Sequence, residues 1–164
     1  MRQKPVVING WSLYAHPAFK EYMRKLAIAV RKIKERNPDN WERSNIVSLY
    51  KAIVRSCLVE IPNDPADSRY RQGNTLGKSY KHWFRTKPAS RHRLFFRYDR
   101  KSRIVAYAWI NGPKQLRTAG SKRDPYVVFA KLLERGEIPD SWDALIKSCD
   151  SITENDSDWR QGQK

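Results

Sequence analysis

The chain has 164 residues, the length of one domain, and 33 Lys and Arg against 17 Asp and Glu give a formal charge of +16 and a pI near 10.1. Such a surplus is expected to meet a polyanion: nucleic acid, an acidic protein or an anionic surface. No apolar run approaches the roughly 18 residues of a spanning helix, MRQKPVVINGW is too poor in apolar residues for a signal peptide, and Cys57 and Cys149 form no CxxC pair. A cytoplasmic protein with no membrane partner and two small core cysteines is the expectation.

In chain order, Val6-Val7-Ile8 and the run from Trp11 to Tyr14 read as strand material around the Asn9-Gly10 turn. Pro17 opens a helix in which Phe19, Tyr22, Met23, Leu26, Val30 and Ile33 repeat at helical spacing, and Asn37-Pro38 stops it. A second helix is expected behind an Asp39 cap with Glu42 completing a capping box; Ile46, Leu49, Tyr50, Ile53, Val54, Cys57 and Leu58 form its apolar stripe, and Pro62 ends it. The pair reads as a helical hairpin. The connection from Ile61 to Lys78 is long for a small domain, and Arg69, Arg71 and Gln72 within it are candidate ligand contacts.

The stretch from Lys78 to Asn111 holds ten Lys and Arg against one acid, Asp99, among aromatic and branched residues. Its alternation predicts three strands. Around Arg100-Lys101-Ser102, a three-residue turn predicts Arg93 opposite Trp109, Phe95 opposite Tyr107 and Leu94 opposite Ala108. The sheet is then expected to show one apolar face, and a second face of cations and rings that holds phosphates and stacks on bases. Beyond Gly112-Pro113, Asp124 caps a helix with Pro125 at its first position, and Asp140 is expected to cap a last short one. From Asp150 the composition turns polar, so the domain is expected to span 1–149, with 150–164 a disordered tail.

The chain lacks a P-loop and a GxGxxG fingerprint, and its three histidines have no partners at zinc spacing, so neither metal nor cofactor is expected. RNA, however, carries its own nucleophile in the 2′-hydroxyl. Cleavage then needs that oxygen aligned with the adjacent phosphorus, charge stabilised on the phosphorane, and two protons moved. Arginine suits the charge, and a lysine crowded by cations suits the base. Lys81, Arg85 and Arg93 share one strand face in this reading and could converge on one phosphate. Trp83, Arg97, Tyr107, Trp109 and Asn111 fall on the same face as RNA contacts; Trp83 and Trp109 serve equally as contacts for a protein partner. His82 reads either as an acid–base group or as a core histidine.

The segments RQGNTLGKSYKHWFR, RLFFRYD, VAYAWIN and DPYVVFAKLL, in that order after NGWSLYAHPAF, resemble the YhaV family of bacterial type II toxins, within the RelE-like RNase superfamily. The resemblance runs roughly from Val6 to Leu145. It implies an α+β, RelE-like fold with an N-terminal strand, a helical hairpin, an antiparallel sheet of about four strands and C-terminal helices. It implies a metal-independent endoribonuclease that cuts mRNA, on or off the ribosome, and so inhibits translation and growth; the alternative is a protein that binds RNA or the ribosome without cutting. It further implies neutralisation by an acidic PrlF-type antitoxin with an AbrB-like swapped hairpin in a hetero-oligomer, with operator DNA reached only through that antitoxin. By the same resemblance Lys81 is the candidate base, Arg85 of KHWFR and Arg93 of HRL stabilise the phosphorane, and Tyr126 positions the scissile step. Lys114 or Arg117 stands in for an arginine that such toxins carry after the last strand, and Gly112 departs from the usual acid there.

Overall fold

Pro17 opens α1 (Pro17–Arg36) where a missing N–H is harmless, and the His16 side chain caps it by accepting from the Ala18 amide at 3.1 Å. Asn37 ends it, as expected from the sequence. The next helix does not start at Asp39. Trp41–Arg43 form a single 3-10 turn, and α2 (Asn45–Arg55) is capped by Ser44, which accepts from the Ile46 amide. The helix runs on through a π-helical segment at Ser56–Glu60 into a final turn, α3 (Ile61–Asn63), within which Pro62 lies. The structure, a computed structural model, describes residues 2–160.

The strands are β1 (Val7–Ile8), β2 (Trp11–Ala15), β3 (Phe84–Thr86), β4 (Leu94–Asp99), β5 (Ile104–Ile110) and β6 (Asp150–Ser151). They form one sheet in the order β1-β2-β5-β4-β3, with β6 also on β2. The α+β class stands, but the sheet is mixed: β2 runs parallel to β5 because α1–α3 and β3–β4 intervene as one long crossover. Two helices complete the chain, α4 (Pro125–Glu134), capped by Asp124 as expected, and α5 (Trp142–Ser148), capped by Ser141 rather than Asp140.

The β4–β5 register differs from the three-residue-turn reading. Asp99 pairs with Ile104, so four residues form the loop, with Arg103 in the left-handed region at φ 56° and the Asp99 carboxylate accepting from Ser102. Further along, Phe96 faces Tyr107 while Phe95 faces Trp109, which leaves Ala108 as a bulge. The bulge turns Ala108 and Trp109 to one side and Ile110 to the other.

Both sheet faces are covered. Against one lie α1 and α2, with Phe19, Met23, Val30, Tyr50 and Ile53 packed on Leu94, Phe96, Val105, Tyr107 and Ile110. Against the other lie α4 and α5, with Tyr126, Phe129, Leu133 and Leu145 packed on Trp83, Phe95, Ala106 and Ala108. The expected open face of cations and rings therefore does not exist over most of the sheet; the C-terminal helices occupy it. Cys57 and Cys149 are buried in different clusters, one on each side of the sheet. Burial pushes the Cys57 thiol well up and the Cys149 thiol up to about 12.

The expectation of disorder from Asp150 also fails for the described residues. Ile152 donates its amide to Leu13, and Trp159, 5 % exposed, packs at 5.8 Å from the Phe19 ring. Two apolar anchors outweigh the polar composition around them. Residues 161–164 of that expected tail lie outside the described residues.

Candidate active site

Where β4 begins, at the end of the sheet away from the β4–β5 loop, three arginines gather around one tyrosine. Arg85, from β3, donates its Nε–H to the Tyr126 hydroxyl at 2.9 Å and an Nη1–H to the Arg69 carbonyl at 2.7 Å. Arg93, just before β4 and only 7 % exposed, donates Nε–H to the same hydroxyl at 3.2 Å and Nη1–H to the carbonyls of Ser90 and His92. Arg117 lies over the Tyr126 ring at 4.9 Å from its centroid and is anchored to Asp124 at 2.7 Å. Tyr126 itself is 5 % exposed, packed edge-on against Phe95.

Local structure accounts for each placement. Asp124 caps α4 through one carboxylate oxygen, on the Tyr126 amide; the other oxygen takes Arg117 and the Thr118 amide. One buried carboxylate thus fixes the tyrosine and the arginine together. Asn111, fully buried, accepts from the Arg93 amide and donates to the carbonyls of Arg91 and Gln115, tying the start of β4 to the loop after β5. Its polar atoms are spent on backbone, so it is a positioning residue and not the RNA contact expected of it.

The chemistry available follows from the hydrogen bonds. Two guanidinium N–H groups donate to the Tyr126 oxygen, so the proton that oxygen carries is what it has left to offer. Among the described residues the Nη2 groups of Arg85 and Arg93 have no hydrogen-bond partner and remain to grip an anion. A cleft of about 320 Å³ opens beside Arg85, lined by Glu60, Arg69, Tyr70, Thr86 and Lys87. Among the described residues no group of three or more His, Cys, Asp or Glu is placed to hold a metal ion.

Of the residues read from the sequence, Arg85, Arg93, Arg117 and Tyr126 converge. Lys81 does not join them. It is exposed in the turn after Lys78–Tyr80, three residues before β3, and makes no hydrogen bond or ion pair among the described residues. Lys114 is exposed on a 3-10 turn at Pro113–Gln115. Trp83 and Tyr107 are fully buried on opposite faces and unavailable to stack on bases; Trp83 donates to Asp140 at 2.7 Å and Tyr107 to the Cys57 carbonyl at 2.6 Å. Trp109 is half-buried and stacks on Phe129 at 5.8 Å. Arg97 lies between the rings of Trp83 and Trp142. His82 bonds the same Asp140 oxygen that takes Trp83, at 2.6 Å. Gln72 holds its own loop through Tyr80 and Leu76. The role of Asp124 beyond capping was missed; the signal was an acid and an arginine seven residues apart astride a glycine turn.

The comparisons agree on one family. The family model for YhaV toxins, described as a toxin with endonuclease activity of a toxin–antitoxin system, matches residues 13–150. The chain is 37 % identical over 148 residues to the Ribonuclease toxin YhaV of Escherichia coli strain K12, covering 89 % of this chain and 96 % of that one. Identity and coverage are the same for Toxin YhaV of Escherichia coli O157:H7. No solved structure matches it. No helix among the described residues is long and apolar enough to cross a membrane. The chain belongs to the YhaV family, toxins with endonuclease activity that work within toxin–antitoxin systems.

Proposed function

We propose that this toxin cuts RNA at the Arg85–Arg93–Arg117–Tyr126 cluster by in-line attack of the substrate's own 2′-hydroxyl. The observation that carries this is the convergence of Arg85 and Arg93 on the single hydroxyl of Tyr126, and the ribonuclease named among its relatives supports the choice of RNA. The free Nη2 groups hold the non-bridging oxygens, where two guanidiniums act better than two ammoniums because their planar forks match phosphate geometry. The 2′-oxygen bonds to phosphorus as its proton passes to solvent water. The bond from phosphorus to the 5′-oxygen breaks, and Tyr126 gives its proton to that leaving oxygen before regaining one from solvent. The products are a 2′,3′-cyclic phosphate and a 5′-hydroxyl.

Lys81, exposed and away from the cluster, contacts flanking phosphates and does not serve as the base. The substrate is mRNA, free or on the ribosome, in the cytoplasm, and cutting it stops translation and growth. The neutralising partner is an acidic PrlF-type antitoxin with an AbrB-like fold, held in a hetero-oligomer that alone reaches operator DNA.

Antitoxin-free protein incubated with 5′-labelled mRNA in EDTA, with and without ribosomes, tests the reading. Fragments with 5′-hydroxyl ends are expected, and none when the nucleotide 5′ to the cut carries 2′-deoxy. Loss of cutting on chelation, or cutting of the deoxy substrate, overturns the mechanism. Tight binding with intact RNA under both conditions makes the chain a binder that blocks translation without cutting.

A further inference from the structure

A second concave surface of the molecule is mostly apolar and is lined by none of Arg85, Arg93, Arg117 and Tyr126. A groove of about 910 Å³ lies between α1 and α2 and is also lined by two loops, around residues 88–92 and 112–116. Leu26, Ala29, Ile46 and Leu49 line it from the helices, Pro88 and Pro113 from the loops. Ile46 is 42 % exposed, one of few large apolar side chains left in water. An exposed apolar concavity of this size marks an interaction site. The only fully charged side chains in its lining are Lys25 and Arg91, and no carboxylate is among them.

These features select the occupant. The walls offer little for a backbone to hydrogen-bond, so an extended segment would bury unmet N–H and C=O groups, whereas a helix satisfies its own. Along α1 the groove spans positions 22 to 29, about 10 Å at helical rise, which takes about two turns of a docked helix through anchors at i, i+3 or i+4, and i+7. A second copy of this chain would bring another +16 against the first. An RNA strand would find two rings, Tyr22 and His92, and few cations in a lining that is mostly apolar. We infer that this groove receives an amphipathic helix of an acidic protein, with apolar side chains in the groove and carboxylates beside Lys25 and Arg91, and that this protein is the antitoxin of the system.

The location matters for control. Ser90, Arg91 and His92 line the groove, and their backbone carbonyls hold Arg93, Asn111 and the Arg117 amide. A helix seated here therefore rests against the loop that holds Arg93 and the Arg117 backbone in place, without entering the site. The inference rests on membership of a toxin–antitoxin family and does not need the proposed cleavage chemistry.

The test uses the purified antitoxin as probe against the full chain and two variants, Ile46→Glu and Ala29→Glu, each checked for native circular dichroism and melting. Each variant is expected to bind the antitoxin at least about ten-fold more weakly while cutting RNA at the wild-type rate. Hydrogen exchange of the wild-type complex is expected to show protection over residues 22–29 and 45–52. Unchanged affinity in both variants, or protection elsewhere only, overturns the inference. So does wild-type self-association that Ile46→Glu abolishes, since the groove then holds a second copy. A loss of RNA cutting with antitoxin binding intact also overturns it, by giving the groove to RNA. If the wild type cuts no RNA but the variants still lose the antitoxin, the cleavage reading fails and the groove stands.

Discussion

Two arginines on β4 and its approach, Arg93 and Arg97, are four residues apart and live in opposite worlds. Arg93 is held by two backbone carbonyls and a tyrosine hydroxyl, and keeps a guanidinium nitrogen free for an anion. Arg97 donates to the Asp140 carbonyl at 2.6 Å and is sandwiched between Trp83 and Trp142, while its buried Nε has no hydrogen-bond partner among the described residues. Burial holds the Arg97 guanidinium below its usual range, with Asp140 and Asp99 working the other way. The difference is set by what covers the sheet. α4 places a tyrosine and a cap carboxylate over one end, and α5 with its preceding loop places tryptophan and backbone over the other. A basic residue on a strand keeps donors open to a ligand only where the covering layer leaves them unused.

Removing a side chain at each end of β4 separates the two roles most directly. Arg85→Ala is expected to slow RNA cutting by about 10²–10³-fold, the loss typical of one donor to developing charge, with melting little changed because Arg85 is half-exposed. Tyr126→Phe keeps the packing against Phe95 and removes only the oxygen that two arginines share; about a 10²-fold loss is expected, read in single-turnover cleavage. If Tyr126→Phe cuts at the wild-type rate, Tyr126 is a scaffold for the arginines and not the acid.

At the other end the readout changes from rate to stability. Arg97→Ala leaves a gap between two indole rings and is expected to cost about 2–3 kcal/mol, as other large-to-small changes in packed sites do. Arg97→Met refills the gap and removes a charge whose Nε has no partner, so stability is expected at or above wild type. Both are read by urea unfolding, and both should cut RNA normally once folded. Lys81→Ala follows with a smaller effect: about a three-fold loss in RNA affinity and a salt slope shallower by about one. A loss as large as that of Arg85→Ala would return Lys81 to the role of base.

What could be read from the sequence was local. α1 and α4 announced themselves through Pro17, Pro125 and Asp124, because caps and helical periodicity are set within a few residues. Alternation put Arg85 and Arg93 on one strand face, whereas Tyr126 was picked out by resemblance alone, since no spacing rule connects the start of α4 to the strands. The covering of the second sheet face could not be read: alternation in Arg91–Asp99 shows which residues share a face, not whether α4 folds over it. The one-residue shift of β4 against β5 arose from Arg103 entering the left-handed region, where a non-glycine residue gives little warning, and the Ala108 bulge then restored the pairing of apolar faces.

The smallest effect expected separates the two ends by pH. His92 sits between Arg91 and Arg93 in the loop whose carbonyls hold Arg93. Burial, then the charges of Arg93 and Arg91, hold its imidazole below the ordinary value of 6.5. The folded protein therefore favours neutral His92 more than the unfolded chain does. Its contribution is fully present above pH 6.5 and is lost as pH falls from there through the lower folded value. Protonation would also place a third positive charge beside two arginines, so the 88–92 loop should loosen in acid before the sheet does. Hydrogen exchange at pH 5 against pH 7.5 is expected to quicken over that loop in wild type and less in His92→Gln, with urea stability showing a shallower acid slope in the variant. Equal acid slopes in the two proteins would mean that His92 is not what makes the site end sensitive to pH. His16 would then be the next group to examine, because its imidazole is likewise lowered by burial, against the opposing charge of Asp150, and caps α1 only while its Nδ1 is unprotonated.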